Sequence, residues 1–354
     1  MKFAHAFCLL ALLFAAGCQT KETASPRQEA RAAWVNNWRA TNPVWRGVHL
    51  MVSSDRSVND LIEQMPRLQA DGVNVIIAEV DYNFDFPSHP ELRGSQYITR
   101  DGAQRLVQSA HDHGIRLIPQ INCLGHQSWK TNRMALLAKY PQFEELPGPQ
   151  ETNKDFYCRS WCPQDPDVNK VVFQLIDDMV DAFDADAFHV GMDEVFIMAS
   201  DYCPRCRGQD PAKLFAKCVN DLHSHIVGHD HIEMLMWADR LLDAKAEHYS
   251  MWEASANGTA PAIDMIPKDI IMCDWHYEKQ KTYASVPVLL DHGFRVLPCG
   301  WQPLTNTLAF SAFSHEQREH NARVIGYLCS TWGKVKIPAT GEWPPIVDAL
   351  KEWK

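Results

Sequence analysis

The feature that most constrains the fold is an alternation of short apolar segments with amphipathic helical patterns, running from Trp45 to the end of the chain. Several apolar segments are almost continuously hydrophobic, as parallel strands buried on both faces are. The eight strand candidates are residues 47–52, 73–80, 115–121, 187–190, 234–237, 270–275, 294–297 and 324–328. Eight such units predict an α/β fold of the (β/α)8 barrel type. The rival doubly wound sheet would be expected to have fewer strands or a glycine-rich first loop.

Helical patterns fill intervals between the strand candidates. They cover residues 58–69, 103–113, 167–183, 211–227 and 285–292. In the pattern at 167–183 the apolar residues form a single stripe at helical spacing. Gly72, Gly114 and Gly293 each stand after a helix and before a strand, which is where glycines end helices. We therefore expect one catalytic or binding domain over residues 45–354, with long loops.

The amino terminus predicts export. Residues 1–17 have a short basic start and an apolar run too short for a permanent membrane span, which is typical of a signal peptide. The tetrapeptide 14–17, Phe-Ala-Ala-Gly, resembles a bacterial lipobox and implies cleavage before Cys18 and acylation of that cysteine. An ordinary secretory signal is the alternative. Residues 18–44 would then form the anchor and a tether, and the domain would be held at a bacterial membrane, on its periplasmic side or at the cell surface.

The charge argues against one class of partner. The net charge is −10, and no basic stripe interrupts the acidic balance. Proteins that bind nucleic acid need a positively charged surface to meet the phosphates. We therefore expect no nucleic-acid partner.

Candidate site residues follow from the fold, because the active sites of such barrels lie where the strands end. The fourth strand candidate ends in a glycine that is followed by two adjacent acids, Asp193 and Glu194. The other strand ends contribute Glu79, Asp81, His126, Trp237, Asp239, Trp275, Tyr277, Trp301 and Trp332. Aromatic rings cover the apolar faces of a pyranose and carboxylates accept hydrogens from its hydroxyls, so this set favours a sugar site over rings that only pack the barrel mouth.

The adjacent acids suggest how such a site could work. A retaining glycosidase ordinarily uses two separate carboxylates about 5 Å apart as acid and nucleophile. The seventh strand candidate leads into Pro298-Cys299-Gly300-Trp301 and offers no acid. Neighbouring side chains at a strand end point in different directions, so one can orient the substrate while the other donates a proton. This division suits substrate-assisted catalysis, in which the acetamido oxygen of the sugar is the nucleophile.

Four motifs carry a resemblance to a known family. Residues 189–195, His-Val-Gly-Met-Asp-Glu-Val, resemble the H-x-G-x-D-E-V signature of the family 20 β-N-acetylhexosaminidases. Residues 118–126, which end in Gly-His, look like its third-strand motif. Trp237-Ala238-Asp239 is similar to its fifth-strand W-x-D, and Trp332 matches its eighth-strand tryptophan. The motifs occur in the family's order across nearly the whole predicted barrel.

The resemblance implies an activity and a role for each residue. The activity is that of a retaining exo-β-N-acetylhexosaminidase, acting on an amino-sugar-containing glycan without a catalytic cofactor. Glu194 would protonate the glycosidic oxygen, and Asp193 would hold the acetamido nitrogen and stabilise an oxazolinium intermediate. His126 would lie behind the acids, His189 would belong to the substrate site, and the tryptophans would surround the acetamido methyl group.

Three departures make the resemblance closest to the single-domain hexosaminidase D branch. The first strand is not followed by the L-D-x-x-R motif of better-known members, although Arg56 lies nearby. The third-strand acids of the family are replaced by Gln120 and Asn122. The segment before the barrel is shorter than the α/β domain usual in the family. In this branch Glu79 and Asp81 would bind sugar hydroxyls, and Tyr277 would replace the family's acetamido-binding tyrosine.

Two other functions stay open. A protein that has lost the sugar-gripping arginine could bind amino sugars without hydrolysing them. A barrel glycosidase could also use a protein nucleophile, with Asp274 or Glu79 as the partner of Glu194.

Four cysteines near the acids predict a further site. Cys158 and Cys162 precede the fourth strand candidate, and Cys203 and Cys206 follow it in a C-P-R-C motif. Four thiolates suit a closed structural zinc site, while export favours disulfides, and free thiols are the third alternative.

Overall fold

The computed structural model describes residues 26–148 and 157–354, and in them eight parallel strands form a closed barrel. The barrel strands are β1 (Trp45–Met51), β2 (Val75–Glu79), β3 (Arg116–Cys123), β6 (Ala187–Gly191), β7 (Glu233–Trp237), β8 (Ile271–Trp275), β9 (Arg295–Gly300) and β10 (Gly326–Ser330). A short hairpin follows β3, and its two strands, β4 (Ser128–Trp129) and β5 (Asn132–Arg133), have two residues each. The predicted (β/α)8 barrel is confirmed, with a strand in each of the eight predicted segments.

The barrel closes between its first and last strands. Trp45 of β1 lies opposite Gly326 of β10, and β1 also pairs with β2. Alternate side chains of each strand point to opposite faces. In β2, Val75 and Ile77 therefore pack in the barrel interior, while Ile76 packs against the helices. This two-sided burial explains the nearly continuous apolar sequence of the strands.

Helices cover the outside of the barrel. They are α2 (Asp55–Asp71), α3 (Arg100–Asp112), α4 (Ala135–Lys139), α5 (Val168–Ala182), α6 (Pro211–His223), α7 (Ser285–Asp291), α8 (Leu304–His320) and α9 (Pro344–Ala349). The three predicted helix-ending glycines, Gly72, Gly114 and Gly293, all have positive φ. The α8 helix was not predicted, because the side chains it buries include Thr307, Ser311 and Ser314 rather than an apolar stripe.

The predicted tether needs a correction. From Pro26 onward this segment is a helix, α1 (Pro26–Thr41), which packs across the amino-terminal mouth of the barrel. Trp38 of α1 is buried, donates from Nε1 to the Gly114 carbonyl at 3.1 Å, and meets Trp45 edge to face. The sequence did not indicate this contact, because Val35 and Trp38, which α1 buries, do not form an apolar stripe in this largely polar helix. The predicted signal peptide and Cys18 lie outside the described residues.

Ion pairs between side chains stabilise the mouth of the barrel beneath α1. Arg116 of β3 is fully buried and pairs with Asp186 and, at 2.8 Å, with Glu233. Its guanidinium also lies 5.0 Å from the centre of the Trp45 ring. This end of the barrel therefore serves stability, and the opposite end is free for chemistry. Among the helices described, none is long and apolar enough to cross a membrane.

Candidate active site

The two acids lie in an unusual turn at the carboxyl end of β6. Gly191, Met192 and Glu194 all have positive φ, of 66°, 75° and 49°. Left-handed conformations cost a non-glycine residue about 1–3 kcal/mol and accumulate at functional sites, where surrounding contacts enforce them. Asp193 is buried, and the Glu194 side chain is 13% exposed. The turn thus separates two adjacent carboxylates and leaves one of them more accessible.

Both acids contact the same imidazole. Nε2 of His126 lies 3.1 Å from Oδ2 of Asp193 and 3.3 Å from Oε2 of Glu194. Burial disfavours the charged imidazole, but the Asp193 carboxylate outweighs it, and the pKa of His126 is held well above its usual value. A protonated His126 therefore places a positive charge in contact with both acids. The sequence analysis placed His126 behind the pair but did not predict its charge.

Two glycines of the motifs allow this close packing. A side chain at Gly125 would put its Cβ 2.9 Å from the Asp193 carbonyl oxygen, and one at Gly191 would lie 2.2 Å from Oδ1 of Asn122. Either substitution would push the two strand ends apart. Each of the two motifs, Gly-His and H-x-G-x-D-E, therefore has a glycine where the chain after β3 packs closely against the chain at the end of β6.

Asp239 fixes the backbone of Glu194. Its Oδ2 accepts hydrogen bonds from the Glu194 amide at 2.9 Å and from Nε of Arg240 at 2.7 Å, and its Oδ1 accepts from Nε1 of Trp275 at 3.3 Å. Burial, opposed by the Arg240 charge, raises the pKa of Asp239 to about 6. These contacts make Asp239 a positioning residue for Glu194, and its substrate-binding role stays a prediction.

Cys158 holds Glu194 from the other side. Its Sγ donates to the Glu194 carbonyl at 3.3 Å, and burial raises the pKa of this thiol to about 11, so it stays neutral. Cys158 is accordingly separate from the other three predicted zinc ligands, and the predicted set of four cysteines is corrected. The three remaining sulfurs come together with Glu145 instead.

Indole and phenol rings form a wall beside the acids. The Tyr277 ring stacks on Trp275 with centroids 4.9 Å apart, and Trp301 meets it edge to face at 5.3 Å. Trp332 donates from Nε1 to the Tyr277 hydroxyl and lies 5.5 Å from the Trp237 ring. Burial raises the pKa of Tyr277 well above its usual value, so its hydroxyl keeps a proton to donate. The structure thus gathers the predicted aromatic residues in one place.

Several polar atoms of this region have no hydrogen-bond partner among the described residues. They are Oδ1 of Asp193, Nε2 of His189, Oε1 of Gln120, and the indole nitrogens of Trp237 and Trp301. The His189 ring accepts from the Gly191 amide at Nδ1, so its unpartnered Nε2 carries the proton. Buried polar atoms cost free energy until a ligand or water completes them. These three donors and two acceptors among aromatic faces match the amide and hydroxyl groups of an amino sugar.

A second cluster of polar residues lies on the other side of the barrel interior. Glu79 accepts from Nδ2 of Asn122 at 3.1 Å, and its Oε2 lies 2.9 Å from Nε2 of His49. Asp81 accepts from the Asn122 amide at 2.8 Å, and burial together with the Glu79 charge raises the pKa of Asp81 well above its usual value. The sequence predicted both acids but missed His49, whose only signal was a polar residue at an inward position of an apolar strand.

Asp274 cannot reach the acid pair. Trp275 packs in the barrel interior, so Asp274 points outward, where its Oδ2 accepts from the Ser285 hydroxyl of α7 at 2.7 Å. It also pairs with His276 at 3.2 Å, and although burial lowers the pKa of His276, the Asp274 charge raises it to about 9 overall. The prediction of Asp274 as a nucleophile is therefore wrong.

The outer edge of the site is a group of rings that we call the aromatic rim: Trp129, Tyr157, Phe196 and Trp252. The Trp129 ring lies 5.5 Å from that of His126, and Tyr157 meets both Trp129 and Trp252 at about right angles. Trp129 and Trp252 are nearly half exposed. Large exposed rings next to acids are typical of a surface that binds further sugar units.

Comparison with known proteins identifies the family. The model of the catalytic domain of glycosyl hydrolase family 20 matches residues 47–336, which reach from the third residue of β1 to beyond β10, and the chain belongs to this family. The chain is 25% identical over 276 residues to a β-hexosaminidase from Emericella nidulans, covering 70% of this chain and 42% of that protein. It is 25% identical over 223 residues to a lacto-N-biosidase from Bifidobacterium bifidum, covering 58% and 19%. The chain thus spans less than half the length of these relatives.

Solved structures share the fold. A β-N-acetylhexosaminidase from Bacteroides fragilis superposes with a TM-score of 0.63 at 15% identity, covering 88% of this chain and 66% of that one. Dispersin B gives a TM-score of 0.53 at 16% identity, covering 87% and 98%. At such low identity the likeness establishes the barrel alone, and the chemistry has to be argued from the residues.

The shared imidazole leads to a pH-dependence of stability. Because the pKa of His126 is higher in the folded protein than its ordinary value of 6.5, its contribution to stability is complete below about pH 6.5 and is lost as the pH rises through the raised pKa. We predict that His126→Asn reduces the fall in the free energy of unfolding above pH 6.5, measured by urea titration at several pH values. Asp193→Asn should lower the pKa of His126 measured by NMR, and an unchanged pKa would contradict the assignment.

Proposed function

We propose that the protein is a retaining exo-β-N-acetylhexosaminidase that removes terminal β-linked N-acetylglucosamine or N-acetylgalactosamine by substrate-assisted catalysis. The observation that carries the proposal is the pair Asp193 and Glu194, joined through His126 beside a wall of aromatic rings. The family and the β-hexosaminidases among the relatives support the activity.

In the first step Glu194 donates its proton to the glycosidic oxygen while the bond to C1 breaks. The acetamido carbonyl oxygen of the same sugar attacks C1, giving an oxazolinium ring and releasing the alcohol. Asp193 accepts a hydrogen bond from the acetamido nitrogen, and its negative charge stabilises the positive charge of the ring. In the second step Glu194 takes a proton from water, which attacks C1 from the original face and gives retention.

The surrounding residues provide the binding energy. The stacked rings of Trp275 and Tyr277, with Trp301 and Trp332, would enclose the acetamido group, and the Tyr277 hydroxyl can donate to its oxygen. Glu79 and Asp81, on the other side of the barrel, would accept hydrogens from ring hydroxyls. His126 supplies a positive charge in contact with both acids. Arg56 is exposed on α2, so it does not take over sugar binding within the barrel.

The proton-donor role predicts how the defect depends on the leaving group. Glu194→Gln should lower kcat by about 10²- to 10⁴-fold for alkyl β-N-acetylhexosaminides and much less for aryl ones, whose leaving groups need little protonation. Asp193→Asn should lower kcat for both, because it acts on the oxazolinium step. Steady-state kinetics with paired alkyl and aryl substrates measures the difference. A thiazoline analogue of the intermediate should still bind Glu194→Gln, which controls for folding.

Two outcomes would point to the alternatives. If the wild type binds N-acetylhexosamine without turnover, the protein is an amino-sugar-binding protein. If a covalent sugar adduct can be trapped, or if substrates lacking the acetamido group are hydrolysed equally well, a protein nucleophile replaces the substrate's own oxygen.

The aromatic rim predicts a preference for longer substrates. The rings of Trp252 and Phe196 meet at 5.1 Å beside the acid-bearing loop, and exposed rings of this kind stack on sugar faces. We predict that Trp252→Ala raises KM several-fold for amino-sugar oligosaccharides and leaves KM for the methyl glycoside of one amino sugar unchanged. An equal change for both substrates would show that the ring only supports the loop.

We also propose that the protein is exported and held at a bacterial membrane through a lipid on Cys18, which rests on the lipobox-like residues before it. Cys18→Ser in the full chain should move the protein from the membrane fraction to the soluble exported fraction, as followed by immunoblotting. Wild-type protein that is already soluble after export would indicate an ordinary secretory signal.

A further inference from the structure

Three cysteines and one glutamate that serve no step of the reaction converge behind the acid-bearing loop. They are Glu145, Cys162, Cys203 and Cys206, and all four are buried. Sγ of Cys162 lies 3.4 Å from both Cys203 Sγ and Cys206 Sγ, and the four ligand atoms lie within 4.8 Å of one another. Four such atoms around one point form the donor set of a closed, four-coordinate metal site.

The carboxylate gives the second, independent indication. Oε1 of Glu145 accepts from the Ser200 amide at 3.1 Å, but its Oε2 is buried without a hydrogen-bond partner among the described residues. A buried carboxylate oxygen that receives no hydrogen bond is stabilised when it coordinates a metal. A cation bound among the three sulfurs would therefore complete the contacts of the Glu145 carboxylate.

The distances suit zinc better than a disulfide. With zinc–sulfur bonds of about 2.3 Å, a tetrahedral site places its sulfurs about 3.8 Å apart, a few tenths of an ångström from the distances found. A disulfide would require about 2.05 Å. Cys203 and Cys206 lie in a tight turn, in which the Arg207 amide donates to the Cys203 carbonyl at 3.0 Å.

We propose that Glu145, Cys162, Cys203 and Cys206 bind one zinc ion, which joins the loop after β3 to the loop after β6. The sequence predicted Cys158 as the fourth ligand, and the structure replaces it with Glu145. With four protein ligands the site has no open position for substrate, so the metal is structural.

The position of the proposed zinc site explains its structural role. The segment with Cys162 also provides Cys158, which holds the Glu194 carbonyl, and Trp161, whose amide donates to Leu124 next to the Gly-His motif. The segment with Cys203 and Cys206 is the continuation of the chain that carries Asp193 and Glu194. A metal between the two segments therefore fixes both sides of the acid pair at once.

The test uses the full chain purified without chelator. Elemental analysis should find about one zinc ion per chain, and replacement by Co²⁺ should give the thiolate charge-transfer and d–d absorption bands of a tetrahedral site. Cys203→Ser and Cys206→Ser should each lose at least tenfold in zinc affinity, while the matched control Cys158→Ser should keep its zinc. Glu145→Gln should release zinc to a chelator faster than wild type, and Glu145→Cys should release it more slowly.

Thiol labelling of the same protein distinguishes a zinc site from a disulfide. If Cys162 forms a disulfide with Cys203 or Cys206, alkylation of the denatured protein before reduction will leave two of the three sulfurs unlabelled in the mass spectrum. That result, or wild type that holds no zinc and gives no Co²⁺ bands, would overturn the proposal. Because every readout is metal content, spectrum or thiol labelling, the result is independent of whether the protein hydrolyses glycosides.

Discussion

The hydrogen bond from the Glu194 amide to Asp239 is the contact on which the site depends. A chain leaving a β-strand would not by itself place three of four consecutive residues in left-handed conformations. Asp239, two residues after β7, accepts from the amide, Cys158 donates to the carbonyl of the same residue, and the glycines let the strand ends approach closely enough for both contacts. The strain is thus distributed over neighbouring elements, and the two carboxylates are held ready for the substrate.

The barrel and much of the site could be predicted from the sequence because both leave local signals. A strand buried on two faces must be apolar throughout, and a helix covering it must have one apolar face, so the repeat is visible without structural data. Residues such as Asp193, Glu194 and Trp237 follow directly from strand ends, where the barrel places its chemistry. The family model that matches residues 47–336 agrees with the family that the motifs predicted.

What the sequence could not predict are contacts between residues far apart in the chain. Asp239 was predicted to bind the substrate, but its contact with the Glu194 amide was not predicted, because no side-chain pattern reveals it. Asp274 and Trp275 are neighbours at the same strand end, and only the register of β8 decides which of them faces the barrel axis. Glu145 was overlooked as a companion of the cysteines, because loops of irregular structure bring it to them.

The helix under the barrel has a consequence for the orientation of the whole molecule. It packs across the end opposite the acids, and the residues between Cys18 and Pro26 reach at most about 25 Å when extended. A lipid on Cys18 would therefore hold the base of the barrel near the bilayer surface and leave its open end pointing outward. In that orientation the acid pair would face the surrounding medium, and the sugars of the adjoining lipids would lie beneath the closed end of the barrel.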